Sequence, residues 1–270
     1  MAVPAATFAT VRIVRVLATN DDGWQSAGIH ALAAAIAARD HDVVVVAPTR
    51  DRSGASAAIG PLHHAGAIPF EEHRWPDLPE VRVLAIDAPP ATAVYASVLG
   101  GFGDPPDVVA SGVNPGANTG HLVLHSGTVG AALSAAALGV PAVAASVAWN
   151  PDDRHQFATA AGLAAAALEW VTGRDQAPRV LNINAPDCPP DDVRGIREAS
   201  LAPYGEFWVA NADTATGDLK IEFKGREHEP EPDTDLALVR AGFAAVTPLG
   251  GIARARLAGA ADAIQETWRG

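Results

Sequence analysis

Lysine is nearly missing from this sequence. It occurs only at Lys220 and Lys224, and arginine supplies the other basic charge. A P-loop NTPase is thereby excluded, because its phosphate loop needs a lysine early in the chain and none precedes Lys220. Positive charge is short overall: the formal net charge is −12 over 270 residues. A nucleic-acid polymer requires a basic face, so it is excluded as the main partner. A small anionic substrate held by a metal and a few local donors is not. Cysteine is limited to Cys188, which rules out an intrachain disulfide framework and a thiolate metal cluster. This fits a reducing compartment, and a cytoplasmic location is expected. The first ten residues lack a basic segment followed by a long apolar stretch. The most membrane-like run, 131–147, contains Ser134, Gly139, Pro141 and Ser146. Pro141 would break a helix, so the run reads as helix, turn and strand, not a membrane span.

Apolar residues make up 49% of the chain, ample for a core, and the length suits two domains or one large α/β domain. Strand and helix patterns alternate along it. Strands are predicted at 12–18, 43–47, 81–86, 108–111, 142–147 and 180–183. Helices are predicted at 28–39, 91–99, 128–138 and 156–171. Such alternation implies an α/β fold with a doubly wound, mostly parallel sheet and right-handed crossovers. After Pro186 the texture changes to prolines, acids and short alternating pieces at 207–209 and 219–223, with an acidic loop at 227–235. Hairpins or an extended arm are expected there.

Three polar loops each follow a predicted strand, at the sheet edge where ligands bind in open α/β folds. The first is Thr19-Asn20-Asp21-Asp22-Gly23. Two carboxylates ~4 Å apart repel by roughly 4 kcal/mol at an effective dielectric of ~20. A divalent cation reverses that sign, and hard cations prefer oxygen ligands. The same residue types also make an ordinary turn with a helix N-cap, and both readings stay open on this pentapeptide. The second loop runs from Ala47-Pro48 through Arg50, Asp51 and Arg52 to Ser53-Gly54-Ala55-Ser56. Its arginines suit phosphate, and a solvated loop is the plainer alternative. The third comprises Ser111-Gly112-Val113-Asn114, Asn118 and Ser126-Gly127-Thr128. Its end would place hydroxyls and N–H groups at a positive helix terminus, although N-capping alone would also use Ser126 or Thr128. His121 and His125 are four apart. They read as loop or surface histidines, with a second metal pair or a general acid at His125 as the sharper alternatives.

On these residues, with Pro106-Asp107-Val108-Val109-Ala110 before the third loop and Val129-Gly130-Ala131-Ala132 after it, the chain resembles the survival protein SurE family. Weaker echoes lie at Asn182-Ile183-Asn184-Ala185-Pro186, Thr234-Asp235 and Val246-Thr247-Pro248-Leu249. These are metal-dependent nucleoside monophosphate phosphatases. The resemblance implies a Rossmann-like core at 1–185 and a C-terminal extension at 186–270 that returns to the core and reaches other subunits in a homodimer or homotetramer. It implies a magnesium or manganese ion on Asp21, Asp22, Ser53 and Asn114, all oxygen donors. It places Asn118, Ser126, Gly127 and Thr128 at the phosphate, with Asp21, Asn118 and Ser126 as catalytic residues. Hydrolysis of nucleoside 5′-monophosphates, and of 3′-monophosphates as a further option, is the expected activity. A non-catalytic nucleotide- or metal-binding module on the same scaffold is the alternative.

Several positions depart from the family pattern. Its Gly-Thr-Pro-x-Asp-Cys-Val segment is here Asp87-Ala88-Pro89-Pro90-Ala91-Thr92-Ala93-Val94. The tyrosine common before Ser-Gly-Thr is His125. A glutamate in the following helix is absent around Ser134-Ala135, and Trp24 follows Asp-Asp-Gly. None falls on a metal ligand, so they bear on substrate preference and oligomer contacts. Other hydrolase classes fit poorly. Asn20 stands where a haloacid-dehalogenase-type enzyme needs its aspartate nucleophile. Gly54-Ala55-Ser56-Ala57-Ala58 lacks the last glycine of a serine-hydrolase elbow.

Overall fold

β1 (Arg15–Thr19) is an inner strand of the sheet and the start of its topology. It pairs in parallel with β2 (Asp42–Pro48) on one side and with β5 (Val108–Pro115) on the other. The computed structural model describes residues 13–60, 62, 66–173, 180–205, 207–213, 220–225 and 229–251. Arg12, Leu219 and Glu227, at the edges of three predicted segments, lie outside the described residues.

The remaining strands are β3 (Phe70–Trp75), β4 (Leu78–Ile86), β6 (Ala142–Val147), β7 (Val180–Ala185), β8 (Ile196–Glu198), β9 (Phe207–Asp213), β10 (Lys220–Gly225) and β11 (Ala244–Leu249). Nine of the eleven described strands form one sheet in the order β3-β4-β2-β1-β5-β6-β7-β11-β8, while β9 and β10 pair separately as an antiparallel hairpin. From β4 through β7 all neighbours are parallel; β3 and β11 run antiparallel to β4 and β7. The chain builds outward from β1 through β2 to the edge strand β3, returns to β4 between them, then crosses back to β5. The strand order therefore reverses between β1 and β5, where α/β sheets open a crevice for ligands.

Strand alternation supplies two apolar faces. Val16 and Ala18 of β1 join a core cluster with Ile29, Leu32 and Ile36 of α1 (Ala27–Ala37) and Ala161, Ala164 and Leu168 of α4 (Phe157–Thr172). Leu17, between them, faces a second cluster with Val94 of α2 (Pro90–Val98) and Val129 of α3 (Gly127–Ala137). Both faces of the sheet are thus covered, the arrangement that parallel strands require.

Three differences from the sequence reading have physical causes. β3 was not predicted, because FEEHRW carries no apolar alternation; it is an exposed edge strand, where charges are favoured. β5 extends four residues past Ser111, so the expected loop residues Gly112 to Pro115 continue the strand, with a register shift against β6 between Ser111 and Asn114. β11 carries Pro248, yet β8 pairs with it only as far as Val246, leaving the strand open on one side at the proline. The segment after 185 contributes β8, α5 (Asp235–Arg240) and β11, and two of these join the main sheet.

Candidate active site

β1 delivers Asp21 and Asp22 to the crevice at the reversal of strand order. Asn20 fixes the turn that follows: its amide donates to the Gly23 carbonyl at 3.1 Å and to Ser26 Oγ at 2.8 Å, and Ser26 caps α1. The turn and N-cap reading of this segment therefore describes Asn20 and Ser26, and neither acid is the cap.

Asp21 is buried at 3% exposure. Its Oδ1 accepts from the Thr128 hydroxyl at 2.5 Å and its Oδ2 from the Gly127 N–H at 3.2 Å. The carboxylate thus sits on the N-terminus of α3, where the helix dipole favours negative charge. Even so, burial pushes its carboxyl above the ordinary range. Burial also pushes Asp22 up to about 7, and the charges of Asp21 and Asp51 add to the effect. Asp22 Oδ2 is buried with no hydrogen-bond partner, as is Asn20 Oδ1. An unpartnered buried carboxylate oxygen beside two other acids is costly unless a cation completes it.

The other expected ligands come from the neighbouring loops. Asn114, near the end of β5, presents Oδ1 to Thr128 Oγ1 at 3.4 Å, which places it on the hydroxyl that also holds Asp21. The second loop is tied to the first by the Arg52 N–H, which donates to the Asp21 carbonyl at 2.7 Å. Ser53 follows, exposed, with its hydroxyl and its N–H both donating to Asp51 Oδ1 at 2.6 and 2.7 Å. Asp51 was not singled out by sequence reasoning, although it is the acid that orients Ser53 and adds charge beside Asp21 and Asp22. Its position one strand-end away from the acid pair was the available signal.

This set fits a hard divalent cation: two carboxylates, a carboxamide oxygen and a hydroxyl. Among the described residues no group of three or more His, Cys, Asp or Glu side chains is arranged for a metal. His121 and His125 are exposed on and just after a short 3-10 turn at Gly120–Leu124.

The expected phosphate residues are already engaged. Ser126 Oγ accepts from the Val129 N–H at 3.1 Å as the N-cap of α3. The Gly127 N–H serves Asp21. Gly127 also has no room for a side chain, since a Cβ there would lie 2.7 Å from Asp21 Oδ2. Asn118 belongs to a buried polar cluster: its amide donates to Ser146 Oγ at 2.9 Å, and its backbone N–H donates to Asn184 Oδ1 at 2.7 Å. Its carbonyl accepts from Asn182 and Asn184. Asn182 and Asn184 alternate on β7 and so share a face; that period-two repeat was the sequence sign of the cluster. Arg52 and Arg50, whose loop reads as either phosphate-binding or plainly solvated, contact Asp87 Oδ1 at 2.5 and 3.8 Å.

Known proteins resemble this chain in sequence and fold. The Survival protein SurE family model matches residues 16–205. A protein named 5′-nucleotidase SurE from Stenotrophomonas maltophilia is 36% identical over 243 residues, covering 87% of this chain and 89% of that protein. One of the same name from an Anaeromyxobacter species is 42% identical over 244 residues, covering 87% and 89%. The crystal structure of the SurE protein from Aquifex aeolicus superposes with a TM-score of 0.69 at 29% identity, covering 87% of this chain and 93% of that one. A family match over this span, with the oxygen-donor set at the β1/β5 reversal, means that the chain belongs to the survival protein SurE family.

Proposed function

We propose that this protein is a metal-dependent phosphomonoesterase that hydrolyses nucleoside 5′-monophosphates to nucleoside and phosphate. One observation carries the reading. Asp21, Asp22 and Asn114 converge at the crevice with a buried, unpartnered carboxylate oxygen, in a chain whose relatives are named 5′-nucleotidases. Magnesium or manganese suits the donor set, with Ser53 as the fourth ligand. When bound, such an ion polarises phosphoryl oxygens and lowers the pKa of a water for attack at phosphorus.

The chain's own residues supply position and charge. Asp21, held by Thr128 and Gly127, orients the attacking water and accepts its proton. Ser126 accepts from Val129 but keeps its own hydroxyl proton, which it can donate to a phosphoryl oxygen. Asn118 gives one amide proton to Ser146 and has a second to offer. The Ser126 hydroxyl and the Asn118 amide, aided by the dipole of the α3 N-terminus, face the charge that grows on the transferred phosphoryl.

The hairpin of β9 and β10 stands apart from the main sheet and is the natural arm, within 186–270, for a dimer or tetramer. Among the described residues no helix is long and apolar enough to cross a membrane. A cytoplasmic site of action fits the single cysteine and the acidic charge.

Phosphate release from a panel of 5′- and 3′-nucleoside monophosphates tests the reading, first with EDTA and then with added Mg²⁺ or Mn²⁺. Activity lost with chelator and restored by metal is expected, strongest on 5′-monophosphates. A folded protein with no activity under any metal would be a binding module instead.

A further inference from the structure

We propose that Asp87 determines specificity, reserving the cleft beside the phosphatase centre for an uncharged nucleoside and excluding a second phosphate. The inference rests on the nucleotidase reading and names its substrate class more narrowly.

A cleft of about 360 Å³, within the usual range for small-molecule sites, is lined by Thr49, Arg50, Phe70, Glu71 and Asp87 among others. It adjoins the acid pair through one residue. The Arg52 N–H donates to the Asp21 carbonyl, while the Arg52 guanidinium reaches Asp87. Arg50 approaches the same carboxylate oxygen. Two guanidiniums this near a phosphate centre would make a strong seat for another phosphate, because the planar fork binds such oxygens in pairs. Asp87 occupies that seat with its own carboxylate, and Glu71 adds a second negative charge to the cleft. The two carboxylates neutralise the two guanidiniums, so no net positive charge is left to hold a further anion. What remains suits a nucleoside. Phe70 is 55% exposed, with its ring set edge-on to Phe102, and offers a stacking face for a base. Carboxylates accept ribose hydroxyls.

Two variants test this, Asp87→Asn and Asp87→Glu. Calorimetry with EDTA present gives the Kd of inorganic pyrophosphate. Kinetics with metal give the ratio of kcat/KM for a nucleoside 5′-diphosphate over the 5′-monophosphate. Asp87→Asn is expected to bind pyrophosphate about tenfold tighter and to raise the ratio about tenfold, with Asp87→Glu resembling the wild type. Adding Arg50→Ala and Arg52→Ala to Asp87→Asn removes the gain. A pyrophosphate Kd within twofold of wild type in Asp87→Asn, or a gain that survives loss of both arginines, overturns the inference. If the wild type hydrolyses no nucleotide with any metal, the nucleotidase reading falls, and pyrophosphate binding alone still decides the role of Asp87.

Discussion

The Thr128 hydroxyl donates to Asp21 Oδ1 at 2.5 Å across 107 positions of sequence, joining the first polar loop to the helix that ends the third. This bond, with the Gly127 N–H on the other oxygen, fixes the carboxylate before any ion arrives. Its charge is thus preorganised at a cost that burial imposes. Asp21→Asn keeps the volume and removes the charge. Turnover should fall by about a hundred- to a thousandfold, the scale seen when one preorganised transition-state group is lost. The metal-free fold should stay intact, since a buried charge has been removed. Steady-state hydrolysis beside a thermal melt checks both halves; unchanged activity in a folded variant would sink the scheme.

Gly127 is glycine for want of space. A Cβ would meet Asp21 Oδ2 and Cβ at 2.7 Å, closer than real contacts allow. Gly127→Ala must therefore displace Asp21 or the start of α3. Overpacking of this kind costs about 1–3 kcal/mol. We expect metal affinity to drop at least about tenfold, read by titration calorimetry with Mn²⁺, with a lower melting temperature in the metal-free protein. Wild-type affinity would show that Asp21 is not held by this contact.

The sheet was legible in the sequence because its inner strands are continuous apolar runs and its helices are alanine-rich with one aliphatic stripe. Val43 to Ala47 and Ile29, Leu32 and Ile36 are clear examples. The acid pair was legible for the same reason, as polar residues abruptly following such a run. What escaped is what depends on partners far along the chain. β3 is polar because it is an edge, and Pro248 looks like a strand breaker until β8 is seen to stop at Val246. Asp51 and the arginines read alike as a polar loop, solvated or phosphate-binding. Only the fold shows the arginines turned to Asp87 and the aspartate turned to Ser53. The stacking of Trp24 on His73 of β3, with centroids 4.0 Å apart, likewise needed the edge strand to be in place.

Asp235 anchors the third loop from the far end of the chain. Fully buried, it accepts from the N–H groups of Gly120, Ala202 and Leu236 at 2.8–2.9 Å. Burial raises its carboxyl above the ordinary range, against the pull of these three bonds. In Asp235→Asn, one acceptor oxygen becomes an NH₂ facing an N–H donor. A buried donor left unsatisfied costs about 1–3 kcal/mol. Urea denaturation should show a lower midpoint at unchanged slope. A midpoint equal to wild type would mean the loop is held by other contacts.

The pH dependence follows from Asp22, whose carboxyl is pushed from 3.8 to about 7 by burial and by Asp21 and Asp51. Between these values the folded, metal-free protein binds a proton that the unfolded chain has released. Its stability therefore falls as pH rises from about 4 to about 7, then levels. A metal ion competes with that proton, so its affinity should rise about tenfold per pH unit up to about 7 and then plateau. With Mn²⁺ at 100 times its Kd at pH 7.5, binding stabilises the fold by about 2.7 kcal/mol. At pH 5.5 the affinity is about 25-fold lower, so the same concentration is only about four times Kd and the stabilisation shrinks to about 1 kcal/mol. Thermal melts with Mn²⁺ and with EDTA across pH 5–8.5 measure the difference directly. We expect it to grow to about pH 7 and then hold steady, and to lose its pH dependence in Asp22→Asn. A gap already at full size at pH 5 would show that Asp22 is ionised well below 7 and that the crevice carries its charges without strain.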